Sequence, residues 1–398
     1  MSKEKRLVPE LRFPEFDGEW RDSLIGEQTK VLMCKRVFKD QTVQDGEIPF
    51  YKIGTIGKDP DAYIARKLYD DLRTKYSFPN KGEIMLTCSG TVGKCFIYDG
   101  SDAYYQDSNI VWLKNEEDQI SNSFLYYFLS EFDWGKLNQT TIARIYNDDL
   151  RKIRVRYPRI MEQQKIATFL SLIDKKIELL EKKVELLEEQ KKGLLQKIFT
   201  QEIRFKKDDG SEFEEWMKIE LCKVFREYNK KTISNNQYPI ITSSNRGIYL
   251  QDNYFKKQTA SSNNIGYKIV PFGYFTYRSM SDTGSFTFNI QELVDLGIVS
   301  PAYPVFTTIT GYNKKFLYYT LNHSKEMTKE MALFSEGGTR IALSYAKFTR
   351  IKLSLPSLRE QNKIANFLSK VDLLVDNNKQ KLEYTKKQKK GLLQKIFI

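Results

Sequence analysis

Ser89-Gly90-Thr91-Val92-Gly93-Lys94 holds the residue types of a phosphate-binding loop: glycines that let backbone amides close on an oxyanion, and a lysine to neutralise it. The spacing is wrong for one. Two residues separate the glycines where such a loop needs four, and Cys95 stands where Ser or Thr would hold the metal ion. Strand-like runs flank the segment, so it reads as a β-turn presenting small polar side chains and one lysine; such a turn could still touch a DNA phosphate or base edge. Glu181-Lys182-Lys183 matches a nuclease tripeptide by letter, yet it falls on the surface of a heptad helix. Glu116-Glu117-Asp118 and Asp208-Asp209-Gly210 lack the alternating ligand spacing of a calcium loop and read as solvated loops. His323 is the one histidine in 398 residues, which argues against His-based metal cages and a Ser-His-Asp triad. No Gly-rich S-adenosylmethionine loop and no Asn-Pro-Pro-aromatic motif is present. No catalytic constellation and no metal site can be named.

The charge points to a partner instead. With 64 Lys+Arg against 51 Asp+Glu, the formal net charge is +13, which favours a polyanion: nucleic acid first, an anionic membrane second. Basic and polar residues lie on turns among aromatics. In the first half they are Lys35, Arg36, Ser89, Thr91, Lys94, Gln106, Thr140, Thr141 and Arg144; in the second, Ser243, Ser244, Asn245, Arg246, Tyr277, Arg278, Ser279, Thr283, Thr339 and Arg340. Arg, Asn, Gln, Ser and Thr supply the forks and hydroxyls that read base edges, while Lys mostly neutralises phosphate. Cys34, Cys88, Cys95 and Cys222 form no CxxC pair and fit reduced thiols of a cytoplasmic protein. The opening MSKEKRLVPE has no apolar secretory core, and no run of apolar residues is long enough to span a bilayer.

The elements that must position these residues come from a repeat. Residues 162–199 and 360–397 align without a gap at an offset of 198, with 21 of 38 positions identical. Arg12-Phe13 with Gly18 and Trp20 echoes Arg204-Phe205 with Gly210 and Trp216, and Pro158 corresponds to Pro356. Within the first copy Ile166, Leu170, Ile173, Ile177, Leu180, Val184, Leu187, Leu194 and Ile198 step by threes and fours, interrupted only by Lys191: a heptad seam. The second copy keeps Ile364, Leu368, Val371, Val375, Leu382, Leu392 and Ile396, and places Asn378, Thr385 and Lys389 on the same stripe. Such seams pair either with a copy in another chain or, as expected here, with each other, antiparallel within one chain. The two helical blocks carry charges of +1 and +5 (8 Lys against 7 acids, then 9 against 4), leaving +7 for the rest. The basic run Lys386-Lys387-Gln388-Lys389-Lys390 is therefore expected to face phosphates or an acidic partner surface.

Each helical block follows a β-rich one. Strands are expected within 48–56, 83–98 and 108–113, and again within 238–242, 267–277, 285–290 and 298–306, with aromatic helices at 122–134 and 313–322. The fold class is α+β: two β-rich domains, each with a mostly antiparallel sheet, separated by two long helices that form an intramolecular antiparallel coiled coil. The expected boundaries are a tail at 1–8, a first domain at 9–158, a helix at 159–200, a second domain at 201–356 and a helix at 357–398.

Pro9-Glu10-Leu11-Arg12-Phe13-Pro14 with Gly18 and Trp20, and Glu162-Gln163-x-Lys165-Ile166-Ala167 with its second copy Glu360-Gln361-x-Lys363-Ile364-Ala365, each leading a helix that ends in GLLQKIF, carry a resemblance. Over essentially its whole length the chain resembles the specificity subunit of type I restriction-modification systems. That resemblance implies two target-recognition domains, each reading one half of a split, asymmetric site in double-stranded DNA. It implies helical regions that bind two modification (methyltransferase) subunits, which two restriction (motor-nuclease) subunits then join. Methylation, ATP-driven translocation and cleavage, with S-adenosylmethionine, ATP and Mg²⁺, would belong to those partners, and this chain would carry no cofactor. No base contact carries over. The alternatives are a self-sufficient DNA-modifying enzyme with divergent motifs and a coiled-coil scaffold that binds protein only. A 38-residue helix reaches at most ~57 Å, and one duplex turn is ~34–36 Å, so helices of this length suit a ruler between half-sites.

Overall fold

The computed structural model describes residues 7–90, 92–106, 109–137, 144–251, 263–334 and 341–397. Thr91, Thr140, Thr141, Thr339 and Arg340 lie outside the described residues. The chain divides into two units, one of Met1–Glu181 with Gln380–Ile398, the other of Lys182–Lys379. Each unit therefore contains one β-rich domain and a stretch of both long helices.

In the first unit β1 (Arg21–Leu24) pairs with β9 (Arg154–Tyr157) beside the long helix. A four-stranded antiparallel sheet runs β2 (Thr29–Met33), β8 (Ile110–Asn115), β5 (Ile84–Thr87), β6 (Cys95–Ile97). A smaller sheet sets β3 (Ile48–Tyr51) between β4 (Tyr63–Ile64) and β7 (Tyr104–Tyr105), the β3–β7 pair being parallel. Residues Ile110–Leu113 of β8 read as an unbroken apolar run because both faces of the strand are buried there. Val111 and Leu113 enter the core shared with the helices, while Ile110 and Trp112, on the opposite face, enter a second core with Met85 and Tyr104.

The second unit repeats the frame with other contents. β10 (Met217–Glu220) pairs with β21 (Lys352–Leu355) as β1 does with β9. The four-stranded sheet runs β11 (Phe225–Glu227), β19 (Val305–Thr308), β15 (Phe275–Thr276), β17 (Asn289–Ile290). Two-stranded ladders join β12 (Ile241–Ser244) to β13 (Gly247–Leu250), β14 (Lys268–Pro271) to β18 (Leu296–Val299), and β16 (Met280–Ser281) to β20 (Ile341–Ala342). The one mostly antiparallel sheet expected in each domain is thus several small sheets, since turn-forming Gly and Asn and the strand proline Pro271 keep the strands short. The aromatic helices are Asn122–Glu131 and Lys314–His323. Their N-caps Ser121 and Asn313 accept from the amides of Phe124 and Phe316.

The long helices span Ile160–Phe199 and Leu358–Ile396, each starting just past a proline that discourages helix in the residue before it. Their pairing is antiparallel: Asp174 meets Lys389 and Glu181 meets Lys386 in the first unit, Glu188 meets Lys379 and Lys191 meets Asp372 in the second. The seam holds, with Ile166, Leu170, Val184, Ile198, Ile364, Leu368, Val375, Leu382 and Ile396 buried. Asn378 and Thr385 are buried on it too, donating to their own helix at Leu374 O (2.7 Å) and Lys381 O (2.8 Å). Ile173, Ile177, Leu180, Leu187 and Val371 are half-buried, and at two further positions the neighbouring leucine takes the expected place. Leu195 and Leu393 are buried, whereas the expected Leu194 and Leu392 are half-buried. A straight helix drifts about 20° per heptad, so four heptads past Ile166 and Ile364 the buried stripe has moved by roughly one residue.

Candidate nucleic-acid interface

The repeated motifs turn out to be the mounting of each domain. Arg12 donates Nε–H to Glu162 Oε1 (2.8 Å) and Nη2–H to Oε2 (2.7 Å); Arg204 does the same to Glu360 at 3.1 Å for each bond. Both carboxylates are buried, and a bidentate guanidinium is the fitting partner for them. Gln163 and Gln361, also buried, donate to Pro158 O and Pro356 O and accept from the cap amides Ser121 N (2.8 Å) and Asn313 N (2.9 Å). The Glu-Gln pair therefore clamps the opening segment and the aromatic helix onto the long helix. Lys165 and Lys363 bind Glu15 and Asp208 of the opening loops, so Asp208 is a strut in the second unit. These residues hold each domain on its helix.

Two clefts carry the polar groups. In the first unit a cleft of about 610 Å³ gathers Arg36 and Gln106 with Lys39, Gln44, Lys52 and Asn109. Lys52 is paired with Asp61 on its wall at 2.8 Å. In the second, a cleft of about 640 Å³ brings Ser244, Asn245, Arg278 and Thr283 together with Thr242, Asp282 and Thr287. Guanidinium forks, amides and hydroxyls on one concave surface are the donor and acceptor set that distinguishes base pairs in the major groove, and a carboxylate such as Asp282 can accept from cytosine N4. Gln44, Lys52 and Asn109 were invisible to sequence reasoning, because only the tertiary fold brings them beside the rest; Asp282, next to Thr283, was simply passed over.

Other expected contacts lie elsewhere. Tyr277 is fully buried in the second unit's core and donates to Leu343 O (3.0 Å), and burial raises its phenol pKa. It is a core residue. Ser243 lines the cleft but is itself buried, its hydroxyl accepting from Asn289 Nδ2 (2.8 Å) and donating to Thr276 O. Ser279 donates to Ala302 O (2.8 Å). Arg246 sits at the exposed β12–β13 turn, and Lys35 lies over the Tyr76 ring. Ser89 donates to Asn109 Oδ1 (2.7 Å) and bridges Arg144, which lies over Tyr146. Strands β5 and β6 do flank Ser89 and Lys94, as expected. Gly93 is in the left-handed region (φ 80°), and a Cβ there would stand 2.3 Å from the Trp134 ring, so packing explains that glycine without a phosphate. Lys94 donates to Ile56 O (2.7 Å). Within the basic run, Lys386 and Lys389 are taken by Glu181 and Asp174 of the partner helix.

Two β-rich units on one repeated mounting, each with its own unlike polar cleft, define a tandem recognition protein. The chain belongs to the family of the type I restriction modification DNA specificity domain, whose model matches residues 17–189 and again 213–386. It is thus a DNA sequence-recognition subunit, the non-catalytic chain of its class. A putative type I restriction enzyme specificity subunit of Haemophilus influenzae is 47% identical over 146 residues, which is 37% of this chain and 38% of that protein. The putative type I restriction enzyme MjaX specificity subunit of Methanocaldococcus jannaschii is 24% identical over 394 residues, 94% of this chain and 88% of that one. Among solved structures, the type I restriction-modification S subunit of M. genitalium superposes with a TM-score of 0.61 at 16% identity, covering 98% of this chain and 99% of that one. No helix among the described residues is long and apolar enough to cross a membrane.

Proposed function

We propose that each unit reads one half of a split, asymmetric DNA target through its own cleft, and that the helix pair sets the spacing between the halves. The observation that carries this is one mounting holding two different clefts: Arg12–Glu162 and Arg204–Glu360 repeat, while Arg36-Gln106-Asn109 and Asn245-Arg278-Thr283 do not. Unlike clefts imply unlike half-sites. Two modification subunits dock along the helices and two restriction subunits join them in the cytoplasm. S-adenosylmethionine, ATP and Mg²⁺ are bound by those partners. In support of docking, Leu172, Leu179 and Leu186 recur every seven residues on one helix face and are 61%, 59% and 53% exposed, an apolar stripe that needs a cover.

The experiment is methylation mapping of a host that carries this chain with its modification subunit, repeated with Arg36→Ala and with Arg278→Ala. Each substitution is expected to relax one half of the target and leave the other unchanged. Methyl transfer or DNA cleavage by the purified chain alone would establish the rival, a self-sufficient enzyme. Failure to retain DNA in a salt-dependent manner once the modification subunit is added would favour a protein-only scaffold.

A further inference from the structure

The 198-residue offset relates Asp174 to Asp372 and Lys191 to Lys389. Asp174 pairs with Lys389 at 2.5 Å in one unit, and Asp372 with Lys191 at 2.7 Å in the other. Each acid also accepts from a domain tyrosine, Tyr127 at 2.8 Å and Tyr319 at 2.5 Å. These outer pairs cannot tell one helix from the other. A first helix laid antiparallel on a second copy of itself, in the same register, would bring Asp174 to Lys191 and keep the attraction.

The helix ends do not discriminate either. Residues 193–199 and 391–397 are both GLLQKIF. Leu195 and Ile198 fill the core of one unit as Leu393 and Ile396 fill that of the other. Phe199 lies 6.1 Å from Phe316, and Phe397 lies 5.2 Å from Phe124. Two identical plugs enter two equivalent sockets. By these contacts alone, a half-chain would accept the same half of another molecule.

The inner pairs break the tie. Positions 181 and 188 are Glu, and their repeats 379 and 386 are Lys. Glu181 meets Lys386 at 2.8 Å, and Glu188 meets Lys379 at 2.6 Å. Self-pairing of the first helix would set Glu181 against Glu188 twice, and self-pairing of the second would set Lys379 against Lys386 twice. Against the second arrangement there is another device: Asn378 and Thr385 stand buried where the first helix has Leu180 and Leu187, so self-pairing would double the polar residues in one seam.

We infer that Glu181, Glu188, Lys379 and Lys386 form a pairing code that makes the two halves of one chain choose each other over the same half of a second copy. All four side chains are exposed enough for salt to screen them, and a single such pair is weak. Discrimination arises because self-pairing converts every inner attraction into a repulsion.

The double variant E188K/K386E tests this at unchanged net charge. It sets like charges against each other at both inner contacts within the chain, and opposite charges in self-pairing of either helix. The fourfold variant E181K/E188K/K379E/K386E restores attraction within the chain. Sedimentation at low salt is expected to give a self-association constant at least ~10-fold tighter for the double variant than for the native chain. The fourfold variant should behave as native, and high salt should erase the difference. Equal self-association of all three proteins would overturn the inference, as would association of the fourfold variant like that of the double. Should the double variant fail to fold, recovery of folding in the fourfold variant supports the code, and failure of both refutes it.

Discussion

Arg12 and Glu162, 150 residues apart, form a two-pronged ion pair at 2.8 and 2.7 Å that fixes the start of the first domain to the start of its long helix. Glu162 is buried, so removing the guanidinium strands a carboxylate away from water. Arg12→Ala is expected to cost about 3 kcal/mol or more in urea unfolding of the first unit, and Arg204→Ala the same in the second. Arg12→Lys should recover only part, because an ammonium cannot satisfy both oxygens in the plane of the fork. A loss below about 1 kcal/mol, the range of an exposed pair, would contradict the role assigned to this clamp.

Neighbouring Tyr277 and Arg278 should separate stability from recognition. Tyr277→Phe removes the bond to Leu343 O in the core and is expected to cost about 1–3 kcal/mol while leaving the methylated sequence unchanged. Arg278→Ala, on the cleft wall, should leave thermal stability alone and lower discrimination at one base pair by about 1–3 kcal/mol. A Tyr277→Phe protein with an altered target would reverse the assignment.

Much of the frame was legible in the sequence and little of the site was. The offset of 198, the seam and the two prolines fix both long helices within a few residues, because a buried stripe imposes a period that the chain itself displays. The Glu-Gln motif was visible as a signature but not as a clamp, since its partners Arg12 and Ser121 are distant in sequence. Arg36 and Gln106 share a cleft although distant in sequence; their neighbours meet where Tyr104 donates to Lys35 O (3.0 Å), a contact with no local signal. Tyr277 was misplaced for a related reason: a tyrosine between Thr276 and Arg278 has the same local pattern on a wet turn and in a core. The short pairs β1–β9 and β10–β21 left no periodic trace long enough to detect, whereas the helix Arg66–Lys75 does show one in Leu68, Tyr69 and Leu72, a single turn that went unread.

The leucine stripe is expected to act in assembly and not in folding. Replacing Leu172, Leu179 and Leu186 together by Ala should leave thermal unfolding of the chain unchanged, since all three face solvent. Titration with the modification subunit should show affinity weakened by at least ~10-fold, with little dependence on salt, as apolar contacts require. Unchanged affinity would place the docking surface elsewhere.

Burial holds the thiol pKa values of Cys88 and Cys95 up at about 12, against an ordinary 9.0. A raised folded value favours the fold while the thiol is protonated. That stability is fully present below 9.0 and is lost as pH rises from there toward 12. Alkaline unfolding should therefore begin earlier in the native chain than in Cys88→Ala/Cys95→Ala, measured relative to each protein's own stability at neutral pH. Near neutrality a thiol reagent should modify exposed Cys222 first and reach Cys88 only on unfolding. Labelling of Cys88 at the rate of Cys222 in the folded chain would contradict this environment.

Two unlike readers on one helical ruler is the central claim, and single-molecule methylation mapping tests it most directly. In a host with this chain and its modification subunit, the methylated sequence should be two different half-sites separated by an unread gap. Lengthening both long helices by the same few residues should widen the gap and preserve each half-site. A contiguous palindromic target, or changed bases inside a half-site when only helix length is altered, would contradict the account.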